Sequence, residues 1–390
     1  MKMTLGSLFD GIGGFPFAAE ELGIKAVWAS EIVTHCISIT KKYFPDMKHL
    51  GDITKINGAD IEPVDIITFG SPCQGLSNAG HRAGLKDERS GLFLEAVRII
   101  KEMRDKTNGN YPKFIVWENV DGALSSCEGE DFQTVIEKIA GIAECGVSIP
   151  RPPENEDGRL VWKPAGAVLG EDWSLAWRVL DAKYWGVPQR RKRVFLVGDF
   201  RGSSAGEILF KPEGEGWHSK SCQTKRSKVA GCGNKGIGIN EAQYAVDFGR
   251  TADRIQVNPK LAVTLQSEGG GVGAKTGLYC LPAYCIQDTI IGRSVTAGAN
   301  GKGIKKEECF TLTAFDCHAV AAYSKEHQNF IIRRLTPKEC ERLFGFPDDW
   351  TFYGIDNKQI SDDKRTSALG NSVAIPCVLR VLEGIQRVFQ

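Results

Sequence analysis

A cysteine and a glutamate stand at the ends of two apolar runs of the sequence. Cys73 follows the run Val64–Phe69 after a short Gly-Ser-Pro turn, and Glu118 follows the run Ile115–Trp117. Both runs are typical of buried strands, and in an open α/β sheet the carboxyl ends of the strands border one crevice. A thiol and a carboxylic acid in that crevice predict covalent addition to a polarised ring, with the acid protonating the ring as the sulfur attacks.

The simpler interpretation is that both residues are structural. Most intracellular cysteines are small buried hydrophobic residues, and this chain has 12 cysteines. Most glutamates are solvated surface charges. The context favours the functional interpretation, because a third predicted strand ends in a glycine-rich loop.

That loop, Phe9–Gly14, contains three glycines between a predicted strand and a predicted helix. Glycine permits a tight turn and a close approach of backbone to a ligand, and Pro16 suits the first turn of the helix. The next strand, Ala26–Ser30, ends at Glu31, about 20 residues beyond the loop, where a carboxylate can bind ribose hydroxyls. The Gly-x-Gly-Gly spacing differs from that of dinucleotide binders. The sequence therefore predicts a pocket for an adenosine-containing cofactor that has no pyrophosphate to be bound.

Six motifs, taken in order, resemble those of the DNA (cytosine-5) methyltransferases. They are Phe9–Gly14, Pro72–Gln74, Glu118–Val120, Gln189–Arg193, Arg334–Cys340 with Phe344–Pro347, and Gly370–Val373. The resemblance implies an α/β fold with a doubly wound, mostly parallel, Rossmann-like sheet and a second, smaller, irregular β-rich domain. It also implies an enzyme of the bacterial or phage modification type that methylates carbon 5 of cytosine in a specific duplex DNA sequence.

The family chemistry is carried over residue by residue. Cys73 is expected to attack carbon 6 of the cytosine while Glu118 donates a proton to ring nitrogen 3. Carbon 6 of a stacked base is out of reach, so the base must be flipped out of the duplex. Arg191 and Arg193 are the candidates for contacting the cytosine carbonyl and organising the site. The implied catalytic residues are Cys73, Gln74, Glu118, Asn119, Arg191 and Arg193.

The resemblance also implies S-adenosylmethionine as the cofactor. Phe9 is expected against its adenine or methionine part, Glu31 on the ribose and Asp52 at the adenine. The far end of the chain would complete the pocket through Ser372. The implied cofactor residues are Phe9, Asp10, Gly11, Ile12, Gly13, Gly14, Glu31, Ile32, Asp52, Ile53, Pro72, Leu92, Asn371 and Ser372. No metal is expected.

Two polar segments are expected to meet duplex DNA. Residues 75–90 are rich in Gly and Ser and would close over the DNA, and residues 217–240 carry five Lys or Arg and no acid. A basic run is usually a solvated face, but its place in the family's target-recognition region favours contact with phosphates. The expected DNA-contacting residues are Ser77, Asn78, Arg82, Gln189, Lys225, Arg226 and Lys228.

The predicted organisation is a catalytic and cofactor-binding domain over residues 1–200, completed by 365–390, and a target-recognition domain over 201–364 that includes the late motif 334–347. Helices are predicted at Gly91–Met103 and Phe132–Ala143, and later strands at Ser174–Val179 and Arg193–Val197. The stretch Arg151–Asp172 is interpreted as a polar surface insertion.

Charge and composition are consistent with these assignments. The net charge is +1, but residues 201–330 hold 16 Lys or Arg against 12 Asp or Glu, so positive charge concentrates in the predicted DNA-reading part. No apolar run near 18 residues and no Cys-x-x-Cys pair occur. We therefore expect a soluble protein of a reducing cytoplasm, without membrane contact or structural zinc. The resemblance implies a monomer that acts on double-stranded DNA, and it leaves open whether a cognate restriction endonuclease is a functional partner.

Two other functions are weighed against this one. The tRNA-methylating branch of the family shares the catalytic motifs, and its Cys-Phe-Thr signature occurs here as Cys309–Thr311. The tripeptide is interpreted as coincidental, because Cys309–Ala314 alternates like a strand. A catalytically silent DNA-binding scaffold is disfavoured by the intact Cys73, Glu118 and Arg193.

Overall fold

The computed structural model describes residues 2–71, 91–152, 154–155, 157–158, 160–210, 245–247, 256–258, 284–286, 304–306, 308–312, 319–324 and 329–389. Its frame is one eight-stranded sheet with the order β3-β2-β1-β4-β5-β8-β7-β6. The strands are β1 Thr4–Leu8, β2 Lys25–Ser30, β3 Lys48–His49, β4 Ile66–Phe69, β5 Phe114–Val120, β6 Ala165–Leu169, β7 Ser174–Asp181 and β8 Lys192–Asp199.

The first five strands are parallel, and the last three are added antiparallel beside β5. β1 lies between β2 and β4, so the strand order reverses beside it. In doubly wound sheets ligands bind at such a reversal, outside the carboxyl ends of the strands. The predicted doubly wound, mostly parallel sheet is confirmed, with four of its seven pairings parallel.

Helices cover both faces of this sheet, and each face has its own apolar core. One core contains Phe15 and Ile39 with Leu382, and the other contains Ile99 and Phe132. The helices are α1 Gly14–Glu21, α2 Thr34–Tyr43, α3 Gly91–Lys106, α4 Glu130–Ala143, α5 Ala205–Leu209, α6 Pro337–Phe344, α7 Asp362–Gly370 and α8 Ile375–Phe389. The predicted helices Gly91–Met103 and Phe132–Ala143 thus exist and are a few residues longer.

Two small antiparallel sheets follow residue 210 among the described residues. One pairs β9 Ala245–Asp247 with β10 Gln256–Asn258. The other has the order β12-β11-β13-β14, formed by β11 Tyr284–Ile286, β12 Ile304–Lys306, β13 Ala319–Ser324 and β14 Asn329–Arg334. These strands confirm a second, β-rich part.

The late motif packs against the first two helices. Thr336 caps α6 in a reciprocal capping box with Glu339. Trp350 stacks on Tyr43 with 3.8 Å between ring centroids and donates from its indole nitrogen to the carbonyl of Ile12 at 2.9 Å. Phe346, within the late motif, lies 6.0 Å from Phe17 on α1 between ring centroids. The domain boundaries remain a prediction, but Phe346 and the nearby Trp350 both contact the part of the chain that carries the glycine loop.

The interpretation of residues 151–172 as a surface insertion is wrong in part. Residues 165–169 form the edge strand β6, paired antiparallel with β7. Trp162 packs edge-on against Phe132 and Trp177 in the core. Every second residue of β6 is exposed, which hides an edge strand from a search for apolar runs.

No single helix among the described residues is long and apolar enough to cross a membrane. Helices α7 and α8 have sufficient length and hydropathy only when taken together, and they are bent by 42° relative to each other.

Candidate active site

Glu118 lies within β5, two residues before its end, and is 9% exposed. Arg193, on the neighbouring β8, pairs in register with Val120 and places its Nε 3.2 Å from a carboxylate oxygen of Glu118. The other carboxylate oxygen of Glu118 lies beside Gly70, which follows β4. If Gly70 carried a Cβ atom, that atom would be 3.4 Å from this oxygen. The acid therefore sits between the ends of β4 and β5, as the sequence predicted.

Two opposing influences set the protonation of Glu118. Burial raises the pKa of its carboxyl above the ordinary value, while the positive charges of Arg193 and Arg191 lower it in part. The net pKa is raised, so this carboxyl holds its proton to higher pH than a free glutamate. A carboxyl with a raised pKa in a crevice is suited to general acid catalysis.

The chain is anchored where β4 ends. The Ser71 hydroxyl accepts a hydrogen bond from the Trp117 indole at 3.4 Å, and the Ser71 carbonyl accepts one from the Asn119 amide at 3.3 Å. The Asn119 side-chain oxygen in turn accepts from the backbone N–H of Val120 at 2.9 Å. The Asn119 side chain thus holds two backbone segments together. Cys73 and Gln74 lie outside the described residues.

Arg191 occupies a different environment from Arg193. It is 3% exposed and donates to the carbonyls of Leu312 at 2.8 Å, Gly370 at 3.2 Å and Ser372 at 2.7 Å. Its guanidinium also lies 4.8 Å above the ring of Phe344. The suggestion that Arg191 contacts the cytosine carbonyl is therefore corrected: its donors are directed at backbone, and Arg193 is the arginine beside Glu118.

The glycine loop has the backbone that its sequence predicts. Gly11 and Gly13 have φ of 58° and 82°, and Phe9 also adopts a positive φ of 55°. One oxygen of the Glu31 carboxylate accepts from Gly11 N–H at 2.7 Å. The other accepts from the backbone N–H groups of the two residues that follow Glu31, at 2.8 and 2.9 Å. Glu31 is thus held over the loop, and Ile32 beside it is 68% exposed.

Asp10 is a buried acid inside this loop, with 6% exposure. Burial raises the pKa of Asp10 to about 8; the nearby Ser7 hydroxyl lowers it and the charge of Glu31 raises it further. Neither carboxyl oxygen makes a hydrogen bond of normal geometry with the described residues.

Asp52 and Ile53 lie beside the end of β2. Asp52 accepts from the backbone and hydroxyl of Thr54 at 3.0 and 2.9 Å, which caps a short 3₁₀ helix that begins at Ile53 and lowers the pKa of Asp52. The Ser30 hydroxyl donates to the carbonyl of Gly51 at 2.7 Å and fixes this turn next to Glu31. Leu92, in the first turn of α3, packs with Phe9 on one core. Pro72 lies outside the described residues.

The far end of the chain reaches the glycine loop. Asn371 follows the last residue of α7 and is exposed, and Ser372 is buried between α7 and α8. A Cβ on Gly14 would lie 3.3 Å from the Ser372 hydroxyl and 2.6 Å from a methyl group of Val373. The two ends that the motifs predicted to meet are therefore in contact.

Gln189 does not fit its predicted role as a DNA contact. Its side chain is fully buried, and neither of its polar atoms has a hydrogen-bond partner among the described residues. A base or phosphate cannot reach it in this state. The remaining predicted DNA contacts, Ser77, Asn78, Arg82, Lys225, Arg226 and Lys228, lie outside the described residues.

The site includes a segment that the sequence analysis set aside. Cys309 donates to the carbonyl of Pro188 at 2.7 Å and accepts from Arg190 N–H at 2.9 Å, while the Thr311 hydroxyl donates to the Arg190 carbonyl. Within the described residues 308–312, Cys309 forms a single bridge to Gln189 and no strand is present. The strand expected from the alternation of Cys309–Ala314 is therefore absent over residues 309–312, while residues 313 and 314 lie outside the described residues. The Cys-Phe-Thr tripeptide was the available signal for this segment.

Comparison with known proteins points to one family. Residues 3–143 and 167–387 match the family described as C-5 cytosine-specific DNA methylase.

Two individual relatives share less than 30% of their aligned residues with this chain. A protein of Escherichia phage P1 named DNA N-6-adenine-methyltransferase is 28% identical over an alignment that covers 96% of this chain but only 60% of the phage protein. The type II methyltransferase M.HpaII of Haemophilus parainfluenzae is 26% identical, over 97% of this chain and 87% of its own length. The solved structure of the Entamoeba histolytica methyltransferase EhMeth superposes with a TM-score of 0.55 at 14% identity, covering 100% of this chain and 99% of its own. That likeness concerns the fold.

Proposed function

Because the chain belongs to the C-5 cytosine-specific DNA methylase family, we propose that it methylates carbon 5 of cytosine within a specific sequence of duplex DNA. The methyl donor is S-adenosylmethionine. The reaction runs through a covalent adduct between Cys73 and a cytosine flipped out of the helix.

The buried pair of Glu118 and Arg193 carries this proposal. A cytosine ring is open to attack at carbon 6 once nitrogen 3 is protonated, and the raised pKa of Glu118 keeps a proton available for that atom. Arg193, 3.2 Å from the acid, supplies fixed N–H donors for the adjacent ring carbonyl. The pair therefore matches one edge of a cytosine.

The described chain before Cys73 limits how far the nucleophile can lie from β5. Ser71 is tied to β5 through Trp117 and Asn119, and Cys73 comes two residues later in the sequence. Two peptide units span at most about 7.6 Å, which keeps the thiol near a base held by Glu118. Cys73 adds to carbon 6 and leaves again when carbon 5, once methylated, loses its proton.

The residues around the glycine loop fit S-adenosylmethionine. A Cβ on Gly11 would meet no atom of the described residues within 4 Å, so this part of the structure leaves open space beside the loop. Glu31 would bind the ribose hydroxyls, Asp52 and Ile53 the adenine, and Ser372 the methionyl end. When bound, the cofactor supplies a methyl group on a positively charged sulfur.

A trapped adduct tests the reaction. Fluorine at carbon 5 of the target cytosine cannot leave as a proton does, so the bond to the thiol persists. We expect a denaturant-stable protein–DNA band that requires S-adenosylmethionine and is lost in Cys73→Ser. Cys145→Ser, at an exposed cysteine, is the matched control and should retain the band. Adduct formation by Cys73→Ser would remove this thiol from the mechanism.

A tRNA substrate is the second candidate, because Cys309–Thr311 lies along the Gln189–Arg191 segment. We expect no competition by tRNA in the trapping assay. An adduct with tRNA, and with no duplex, would replace the DNA assignment.

The name of the phage relative suggests a different product, N6-methyladenine. An exocyclic amine attacks a methyl group directly and needs neither a thiol nor an acid for ring nitrogen 3, so the motif Pro72–Gln74 together with the buried acid Glu118 favours cytosine. Digestion of methylated DNA to nucleosides should yield 5-methylcytosine; N6-methyladenine alone would contradict the proposal.

The division of labour is part of the same proposal. Residues 1–200 with 365–390 form the catalytic domain, and 201–364 contain the target-recognition domain. The ring of Phe346 in the late motif lies 6.0 Å from that of Phe17 on α1, which supports assigning the late motif to the catalytic domain instead. The enzyme acts as a cytoplasmic monomer, and its likeness to a type II methyltransferase supports a functional pairing with a restriction endonuclease.

A further inference from the structure

Arg191 joins parts of the chain that are far apart in sequence. Its guanidinium reaches one carbonyl at residue 312 and two carbonyls at residues 370 and 372, over distances of 2.7 to 3.2 Å. The ring of Phe344 lies against its face. A planar fork of N–H donors can serve several carbonyls at once, whereas an ammonium group is a compact point charge.

One side of this junction is the cofactor loop. Ser372, whose carbonyl receives the shortest of the three bonds, places its hydroxyl beside Gly14. A ligand that orders the glycine loop therefore also orders Gly370–Ser372, and with it two of the carbonyls that Arg191 binds.

The other side is the segment 309–312, which precedes β13 and β14. This segment is hydrogen-bonded to Pro188 and Arg190, and Leu312 accepts from Arg191. The Cys309 thiol lies 3.4 Å from the thiol of Cys285 on β11, so the segment also contacts the small four-stranded sheet. Arg193, beside Glu118, is only two residues from Arg191.

We propose that Arg191 is a positioning residue that couples cofactor binding to DNA binding. With the cofactor loop ordered, Arg191 holds segment 309–312 and the small sheet in the arrangement that receives DNA, so less ordering remains for the DNA to drive. The coupling is reciprocal: DNA tightens the cofactor by the same factor. This inference rests on the proposed function, since it assumes that both ligands bind.

The test measures a ratio of affinities. The dissociation constant of a fluorescent duplex carrying the methylated sequence is measured with and without saturating S-adenosylhomocysteine, which cannot react. We expect the wild type to bind the duplex at least about 10-fold tighter with it, within the usual range for coupled sites. In Arg191→Lys, which keeps the charge but loses the fork, we expect that ratio to fall below about 3-fold. Arg190→Lys, at the exposed neighbour, should leave the ratio unchanged.

The outcomes distinguish a coupling role of Arg191, a purely structural role of Arg191, and a failure of the proposed function. A wild-type ratio near one, or an Arg191→Lys protein that binds both ligands more weakly at an unchanged ratio, overturns the coupling role and leaves a purely structural one. A wild type that binds no S-adenosylhomocysteine contradicts the proposed function itself.

A second measurement needs no variant. In the wild-type protein without DNA, S-adenosylhomocysteine should slow hydrogen exchange at the amides of Cys309 and Arg190, which bond across the two segments. Unchanged exchange there, with slower exchange in the glycine loop, would overturn the proposal even if Arg191→Lys does not fold.

Discussion

The role of Glu118 as an acid has the most direct test of any feature of this site. Glu118→Gln keeps the shape but offers no acidic proton, so we expect the rate of the chemical step to fall by about 100-fold or more. Single-turnover methyl transfer with bound cofactor and DNA measures it. The wild-type rate should also fall as pH rises through the raised pKa of Glu118, because only the protonated acid can donate. Glu383→Gln, at an exposed position of α8, is the control. A rate in Glu118→Gln equal to that of the wild type would remove the acid from the mechanism.

Glu31 should affect cofactor affinity rather than chemistry. Its removal deletes the predicted bonds to the ribose and frees the N–H of Gly11 from its carboxylate partner. Hydrogen bonds to charged groups contribute about 1.5–3 kcal/mol each, so Glu31→Ala should weaken S-adenosylmethionine binding by about 10-fold or more. Calorimetric titration measures this, with exposed Glu21→Ala as the control. Equal affinities in Glu31→Ala and wild type would contradict the ribose assignment.

Asp10 should make stability depend on pH. In the unfolded chain its carboxyl ionises near pH 4, whereas in the folded protein it holds its proton up to about pH 8. Folding then takes up a proton between these values, so stability contributed by the protonated acid is lost as pH rises through that window. Ser7, Glu31 and Cys36 are the polar or titratable groups that interact with it.

The corresponding change is Asp10→Asn, which removes the titration. We expect the variant to gain stability relative to the wild type at about pH 8 and to lose most of that gain at about pH 5. Urea midpoints at both pH values measure the difference, and exposed Asp46→Asn should show no such trend. A gain independent of pH would contradict the raised pKa.

At this scale the sequence could predict residue types better than roles. Glu118 was singled out because it follows an apolar run, and the structure places it two residues before the end of β5. Cys73 was singled out in the same way, but it lies outside the described residues and its role stays a prediction. Arg191 and Arg193 are two residues apart and look equivalent in the sequence. Only the structure shows that Arg191 bonds to backbone carbonyls and that Arg193 pairs with Glu118. The burial of Gln189 depends on segment 309–312, more than 100 residues away.

At the scale of elements, the strands buried on both faces were predictable. β4 is buried throughout and β5 in all but its last residue, and both begin with apolar residues, because helices cover both sides of the sheet. β3 has two residues, and β6 alternates exposed and half-buried positions, so neither carries a strong pattern. Strands β6, β7 and β8 join the sheet in antiparallel orientation. That orientation depends on the turns between them, which the spacing of apolar residues does not reveal.

The late motif depends on a buried ion pair. Glu341 and Arg365 lie 3.1 Å apart with almost no exposure, and Glu341 also accepts from Asp349 and Thr351. Removing one partner leaves the other charged and buried, so Glu341→Ala should destabilise the protein by about 3–5 kcal/mol. Chemical denaturation measures it, with exposed Glu383→Ala expected within about 0.5 kcal/mol of wild type. A small loss in Glu341→Ala would show that the pair does not hold this region.

At the scale of the molecule, the basic run tests how DNA is held. If Lys225, Arg226 and Lys228 contact phosphates, neutralising all three should weaken binding to every duplex alike and reduce the slope of log affinity against log salt by up to about 3. Titrations with a matched and an unrelated duplex at several salt concentrations measure this. An unchanged slope would mean that the run is a solvated surface.

The meeting of the two chain ends has a consequence for synthesis. Gly14 lies against Ser372 and Val373, and Trp350 donates to Ile12. A ribosome that has made the glycine loop must therefore add more than 300 further residues before the loop gains its permanent neighbours, which takes tens of seconds at about 5–20 residues per second. During that time α1 presents its apolar side without its partner α8. The apolar side of α1 and the glycine loop are therefore left uncovered until residues 350–382 have been made.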